Sequence, residues 1–445
     1  MITIYNTLTG KKELFKPIKD PIVTLYVCGI TPYDYAHLGH GRVYVIFDVL
    51  YRLLSFNGYK VQYCRNFTDI DDKIIARAEK ELGSADRYAQ IANKYIQSFE
   101  EDMSALFNQK PGVEPRVTQT IPEIIKFIEG LIEHKKAYVS DGDVYFDIMK
   151  FPTYGQLSKQ KIDDLIAGAR VEVNEKKRHP LDFALWKSEP ETTFWKSPWG
   201  WGRPGWHIEC SAMAAKYLGT TIDIHAGGQD LMFPHHENER AQSEGLYEKP
   251  FVHYWMHNGF VRINKEKMSK SLGNFFTLRD IFKKYDPVIV RYYLLNHHYR
   301  APLDFSFDDL DALTKSYQRL ARAFDAVDCK EMSPLQIRES KIVQKMLDFL
   351  SDDLNTPGMF GVLFENLSAI QGDREELCRV KEFMRHGLGL PLVPLPEKEV
   401  ELTPEIARLI NEREAARLAK DFKKADEIRD KLKQLGYEAK DKKIR

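Results

Sequence analysis

The sequence predicts an α/β protein in which a parallel-sheet domain, broken by an insertion, is followed by an all-helical C-terminal part. Three observations carry that prediction. An apolar run of β type, Ile22 to Val27, passes through Cys28 and Gly29 and leads to a segment with Val43, Phe47, Leu50 and Leu54 at helical spacing. A second strand-then-helix unit returns only at Thr221 to His225, after a long stretch of mixed character. From Thr277 onward the pattern is helical to the end of the chain.

Taken in order, the first strand reaches a polar, aromatic loop and then His37, Leu38, Gly39 and His40 at the mouth of the first helix. Strand, glycine-containing loop and helix bring backbone N–H groups and the positive end of a helix dipole to one point, where an anion can sit. Val61 to Asn66 reads as the second strand, and TDIDDK, Thr68 to Lys73, caps a long helical region to about Phe107. Pro111, Gly112 and Pro115 end that region. A helix over Pro122 to Lys135 and short β pieces at Ala137 to Val139 and Val144 to Ile148 follow, and Tyr154 to Trp201 is loop-rich. The strand Thr221 to His225 runs through AGGQD into a helix containing His235 to Glu244. Phe260 to Ile263 is again β-like and precedes a polar loop, Lys265 to Asn274. Thr277 and Ser306 are placed as N-caps of helices, with further helices at Lys341 to Leu350 and around Phe360 to Ile370. Pro391, Pro394 and Pro396 mark a linker. Thr403 with Pro404 then starts a last helix, carrying Ile406, Leu409, Ile410, Ala416 and Leu418 before Phe422, that Gly436 can stop.

Composition excludes several classes of function. Lys plus Arg and Asp plus Glu each total 65 of 445 residues, so the formal charge is zero and a generic polyanion binder is not expected, although local basic patches remain open. Asp48 and Arg52 interrupt the most apolar stretch, so no run reaches the roughly 18 residues of a membrane span. The N-terminus shows no secretory pattern. Cysteines at 28, 64, 210, 329 and 378 are scattered and suggest no disulfide framework, which fits a reducing cytoplasm.

Two stretches carry nucleotide chemistry. HLGH alone also fits two histidines satisfied in a turn, and Lys267, Met268, Ser269, Lys270 and Ser271 alone also fit a solvated loop. A third set is metal-like: Cys28, Cys210, His235 and Glu239. On a helix His235 and Glu239 are four apart and share a face, while His236 turns about 100° away and reads as a supporting or core residue. Two thiolates, an imidazole and a carboxylate suit Zn²⁺. Ordinary buried cysteines and a polar helix start are the competing reading.

PIVTLYVCGITPYDYAHLGHGR, NFTDIDDKII, HPLDFALWK, PGWHIECSAM, GGQDLMFPHHENE, KMSKSLGN and AARLAKDFKKADEIRDKL together resemble the cysteinyl-tRNA synthetase family of class I aminoacyl-tRNA synthetases, in order and over nearly the whole chain. Leu38 stands where the family's first signature usually has Ile. The resemblance implies a Rossmann-type catalytic domain in two halves, 1–110 and 221–265, around a connective insertion at 111–220. It implies a KMSKS and stem-contact region at 266–315, a helical bundle at 316–390, and a linker with an anticodon-binding domain at 391–445. The implied reaction joins L-cysteine to tRNA(Cys) through a cysteinyl-adenylate, with ATP and Mg²⁺, by a cytoplasmic monomer.

For individual residues the resemblance implies His37, His40, Lys267 and Lys270 as catalytic, and Gly39, His40, Ser269 and Lys270 around the nucleotide. Gly29, Thr68, Trp206, His225 and Asp230 would line the amino-acid pocket, and Cys28, Cys210, His235 and Glu239 would hold one Zn²⁺ with the substrate thiolate as an added ligand. A pocket of shape alone separates cysteine from serine poorly, about a hundredfold for an added hydroxyl. A thiolate-seeking cation does so at first binding, so no editing domain is expected. A cysteine ligase acting on an amino sugar, and a non-catalytic RNA-binding relative, are the alternatives to a tRNA ligase. The tail AARLAKDFKKADEIRDKL argues against the former, and the presence of His37, His40 and Lys270 against the latter.

Overall fold

The computed structural model describes residues 1–161, 175–263, 266–267, 275–325, 327–396 and 403–434. The chain forms two compact units, Met1–Val393 and Pro394–Arg445. A hairpin of β1 (Thr3–Asn6) and β2 (Lys11–Leu14) precedes β3 (Ile22–Ile30), α1 (Leu38–Phe56) and β4 (Lys60–Phe67). Val23, Leu25, Tyr26 and Val27 of β3 are fully buried. A strand covered on both faces needs such an unbroken apolar run.

TDIDDK opens two helices rather than one. Asp71 caps α2 (Asp72–Leu82), Gly83 stops it in the left-handed conformation, and α3 (Tyr88–Ala105) follows. After α4 (Ile121–Glu133) the insertion builds a five-stranded antiparallel sheet. Its strands are β5 (Ala137–Ser140), β6 (Asp143–Phe146), β7 (Phe183–Ser188), β8 (Trp195–Ser197) and β9 (Gly200–Pro204), in the order β5-β6-β7-β9-β8. Within the loop-rich stretch Tyr154 to Trp201 lie β7, β8 and the start of β9, which are short, and Pro198, Gly200, Gly202 and Pro204 hide their alternation.

Next come α5 (Trp206–Tyr217), β10 (Ile222–Gly228), α6 (Glu237–Tyr247) and β11 (Val252–Asn258). The parallel sheet has the order β11-β10-β3-β4. Chain progression runs outward from β3 through α1 to β4, and outward the other way from β10 through α6 to β11. The reversal falls between β3 and β10, which is where an open α/β sheet leaves a crevice at its carboxyl edge.

A small sheet of β12 (Val261–Ile263), β13 (Glu266–Lys267) and β14 (Leu303–Phe305) flanks α7 (Leu278–Phe282) and α8 (Pro287–Leu295). The strand β14 departs from the all-helical expectation after Thr277; it is held by parallel pairing with β12. Helices α9 (Phe307–Asp325), α10 (Pro334–Ile337), α11 (Lys341–Ser351), α12 (Thr356–Glu365), α13 (Leu367–Gly372) and α14 (Arg374–Leu388) complete the first unit. Thr277 accepts from the Asp280 N–H and Ser306 from that of Asp309, as caps do. Cys329 and Cys378 form a disulfide with a Cα separation of 5.4 Å, contrary to the expectation of none. The two are distant in sequence, and tertiary packing joins them: Lys381 Nζ on α14 donates to the carbonyls of Phe324 and Val327, which draws the Cys329 loop onto that helix. In the second unit the expected single last helix is two: Thr403 caps α15 (Pro404–Leu418), the chain turns at Lys420 with φ of 57°, and α16 (Phe422–Gln434) packs back through Ile406, Leu409, Ile428 and Leu432. Gly436 lies outside the described residues. Among the described residues no helix is long and apolar enough to cross a membrane.

The first unit is tied together by a buried charge cluster. Asp48 on α1 accepts from Arg52 Nε at 2.7 Å, from the Gln109 N–H at 2.7 Å and from Arg291 of α8. Arg291 also donates to the carbonyls of Leu106 and Leu388. Removing one partner of such a group leaves buried guanidinium charge uncompensated. Asp48→Asn is expected to destabilise the chain by about 3 kcal/mol, read as a lower denaturant midpoint of this unit; a midpoint equal to wild type would contradict the assignment.

Candidate active site

A cavity of about 530 Å³ opens at the carboxyl edge of β3 and β10, at the reversal of strand order. Its walls include Cys28, Gly29, Gly39, His40, Thr68, Trp206, Cys210, Asp230, His235 and Asn258. One side is built by the start of α1. His37 is the N-cap of that helix, and its Nδ1 accepts from the His40 N–H at 3.3 Å while His40 Nδ1 accepts from the His37 N–H at 3.2 Å. The two rings stack with centroids 3.7 Å apart. Because each Nδ1 is an acceptor, each neutral ring carries its proton on Nε2. The local sequence thus makes two preset N–H donors beside a helix N-terminus, an arrangement suited to phosphate oxygens.

The other side gathers the metal-like residues. Cys28 lies near the end of β3, Cys210 sits in α5, His235 lies in the turn that opens α6, and Glu239 lies in the first turn of that helix. That turn is wider than an α-helix, with Phe233 extended, so the regular helix begins at Glu237 and not before His235. The four ligand atoms lie within 4.8 Å of one another, and all four residues are buried. Cys28 Sγ is 3.9 Å from Cys210 Sγ and 3.4 Å from Glu239 Oε1, and His235 Nε2 is 3.0 Å from that same oxygen. A tetrahedral ion with bonds of about 2.0 to 2.3 Å needs ligand atoms roughly 3.3 to 3.8 Å apart, so the set fits zinc.

The electrostatics agree with a cation-holding role. Burial alone would raise Glu239, yet His225 and His235 hold it well below the usual carboxylate range. Burial works against charging His235, and Glu239 and Cys210 outweigh it and push it up to about 10. The Cys28 hydrogen bond draws Cys210 below the ordinary thiol range, whereas burial pushes Cys28 up. Cys28, His225, His236 and Glu239 form a second compact set. His225 and His236 do not face the cavity, while Cys28, Cys210 and His235 do.

The structure places most of the residues singled out in the sequence on this one cleft. Gly29 meets Asn66 so closely that a Cβ would fall 1.5 Å from the Asn66 carbonyl oxygen, and only glycine fits. Thr68 is buried and donates to Glu209 Oε2 at 2.9 Å. Trp206 is 42% exposed and stacks on His235 with centroids 4.5 Å apart. Asp230 lines the cavity. His225 does not: it is fully buried behind Glu239, donating from Nε2 to Oε2 at 2.8 Å, because its side chain on β10 points into the sheet's packed face. His236 is buried and bonds His257 Nε2 through Nδ1 at 2.8 Å. Ser269 and Lys270 lie outside the described residues, and of Lys267 only the backbone, in β13, is described.

Other members of the site escaped sequence reading. Asn66 Oδ1 accepts from the Gly29 N–H at 2.9 Å, and His207 Nδ1 meets His235 Nδ1 at 2.9 Å, so the ring opposite the cluster is held in orientation. Burial and the neighbouring Cys210 raise Glu209 well above the carboxylate range, and the hydrogen bond from Thr68 opposes them. The signal was present in NFTDIDD and WHIEC, but nothing local separates such residues from core ones.

A family model described as tRNA synthetases class I (C) catalytic domain matches residues 14–315, and one described as Cysteinyl-tRNA ligase anticodon binding domain matches residues 399–445. The cysteine–tRNA ligase of Pelobacter propionicus is 47% identical and covers 98% of this chain and 97% of its own length. That of a Geobacillus species is 48% identical, covering 97% and 96%. Among solved structures, Mycobacterium tuberculosis methionyl-tRNA synthetase in complex with methionyl-adenylate superposes with a TM-score of 0.58 at 13% identity, over 82% of this chain and 88% of that one. Thermus thermophilus arginyl-tRNA synthetase gives 0.52 at 11%, over 88% and 84%. Those two likenesses show the fold, and the family matches and close relatives go further: the chain belongs to the cysteine–tRNA ligase family of class I aminoacyl-tRNA synthetases.

Proposed function

We propose that this chain ligates L-cysteine to tRNA(Cys) with ATP, by way of a cysteinyl-adenylate, and that Cys28, Cys210, His235 and Glu239 hold one zinc ion that selects the amino acid. The observation that carries this reading is that the two-thiol cluster and the His37–His40 helix cap open onto one cavity. Zinc, when bound, supplies a soft Lewis acid that accepts a sulfur ligand in preference to an oxygen one.

The chain's own residues do the rest. The amino-acid carboxylate is already ionised, so its attack on the α-phosphorus needs no general base, and the P–O bond to pyrophosphate breaks as the new one forms. Charge moves onto the leaving pyrophosphate, and the Nε2–H groups of His37 and His40 with the Gly39 end of α1 are placed to stabilise it. Lys267, Ser269 and Lys270 would complete that phosphate site by family resemblance, and Mg²⁺, when bound with ATP, would supply further positive charge there. Gly29, Thr68, Trp206 and Asp230 line the amino-acid side. Trp206 covers His235 and limits water there.

The 1–110 and 221–265 segments act as the catalytic halves, 111–220 as the connective insertion, 266–315 as the stem-contact region and 316–390 as the bundle. Residues 391–445 read the anticodon. Residues 401–445 carry 13 Lys or Arg against 10 Asp or Glu, enough for phosphate contacts without a strongly basic face. The match at 399–445 supports tRNA as acceptor in preference to an amino sugar. The chain is proposed to work as a monomer in the cytoplasm, where its tRNA acceptor is.

Cys210→Ser is expected to lower zinc content below one per chain and to weaken cysteine binding at least about tenfold, since a hard hydroxyl replaces a soft thiolate. Metal analysis of the purified variant checks this, and full zinc stoichiometry would contradict it. Lys270→Ala is expected to slow single-turnover adenylate formation about a hundredfold while cysteine affinity holds, because only the transition-state charge loses a partner. An adenylation rate equal to wild type would refute that role.

A further inference from the structure

Arg42 lies on α1, two residues beyond His40, and is fully buried. No carboxylate of the described residues pairs with it. Its guanidinium instead meets four backbone carbonyls: Nη1 donates to Phe260 at 2.9 Å, and Nη2 donates to Ala301 at 2.5 Å, Tyr299 at 3.2 Å and His298 at 3.3 Å. A buried cation spent wholly on carbonyl oxygens is unusual, since a guanidinium normally finds an anion.

Those carbonyls belong to two strands of chain that press together without side chains between them. Asn258, Gly259, Phe260 and Val261 form one wall of the cavity, at the carboxyl end of β11. Behind them runs 298–301. The Gly259 N–H donates to Tyr299 at 2.8 Å, and the Leu303 N–H to Phe260 at 2.9 Å. A Cβ on Gly259 would fall 2.6 Å from the Ala301 oxygen and 2.7 Å from that of Arg300. Four carbonyl dipoles converging on one point repel one another unless a donor with a fixed fork spans them, and Arg42 supplies that fork.

We propose that Arg42 is a positioning residue for the nucleotide: it ties the wall Asn258–Val261 to the same helix whose N-terminus carries the His37–His40 donors, so that the two sides of the ATP cleft keep a fixed spacing. This rests on the reading of the cleft as the ATP site. Among the described residues the hydrogen bonds of the guanidinium go to 260 and 298–301 and not to β3, α5 or α6, which build the cysteine side. Loss of the fork therefore acts on ATP and spares cysteine, whereas a general loss of folding would weaken both.

The test uses cysteine-dependent ATP–pyrophosphate exchange with the full chain. Arg42→Lys keeps the charge but cannot span the same carbonyls. It is expected to raise the KM for ATP at least about tenfold, with the KM for cysteine within about twofold of wild type and zinc content unchanged, since a displacement of about 1 Å in a reacting group costs up to about a hundredfold. Gly259→Ala forces the wall from its support without touching Arg42, and is expected to give the same selective effect; it decides the matter if Arg42→Lys does not fold. An ATP KM that stays within about twofold of wild type in either folded variant, or a parallel rise for ATP and cysteine, overturns the proposal. Exchange at background in the wild-type chain would instead overturn the function on which it rests.

Discussion

The carboxylate of Glu239 is the group on which the site depends. It is fully buried, and an unpaired carboxylate in that position would cost several kcal/mol. The fold answers with partners on both oxygens: Oε1 faces the His235 imidazole and the Cys28 thiol, and Oε2 accepts from His225. Glu239 and Cys210 push the His235 imidazole up to about 10 against the opposing effect of burial. A divalent cation held by the cluster would compete with a proton for that imidazole, which would link metal affinity to pH. Glu239 is thus both the anion that makes the cluster attractive to a cation and the ligand best suited to it, since its second oxygen is already fixed.

The sheet explains why such a cluster forms from residues so far apart. Cys28 and Cys210 are 182 positions apart, yet β3 and β10 are neighbours and α5 leads directly into β10. The reversal of strand order leaves the carboxyl ends of both strands open at one crevice. The same β3 that delivers Cys28 feeds the loop to His37 and His40, so one strand aims a thiol at one side of the cavity and starts the helix that forms the other. Between them Gly29 must be glycine, because the Asn66 backbone occupies the space of any Cβ.

Much of this was legible in the sequence. The β3 run, the capping histidines and the four-residue offset of His235 and Glu239 are local patterns with a physical meaning at their own spacing. Other parts have no local signature. β11 is missed because VHYWMHN interleaves histidines and an asparagine with its apolar residues, and the last three strands of the insertion sheet, β7 to β9, because they are three to six residues long among glycines and prolines. α14, with REELCRVKEFMRHGL, is strongly charged and was passed over, although its apolar positions recur at helical spacing. The disulfide between Cys329 and Cys378 and the carbonyl set around Arg42 exist only once distant segments are packed. His225 shows the reverse error: its motif placed it on the amino-acid pocket, and strand alternation turned it to the buried face behind Glu239.

The central claim is that the four-residue cluster holds a metal that binds the sulfur of the substrate. The most direct measurement is the electronic absorption of the chain with cobalt(II) in place of zinc, titrated with L-cysteine and, separately, with L-serine. Saturable growth of a thiolate-to-cobalt charge-transfer band with cysteine and not with serine is the expected result; a spectrum that cysteine leaves unchanged, or that serine alters equally, would contradict the account.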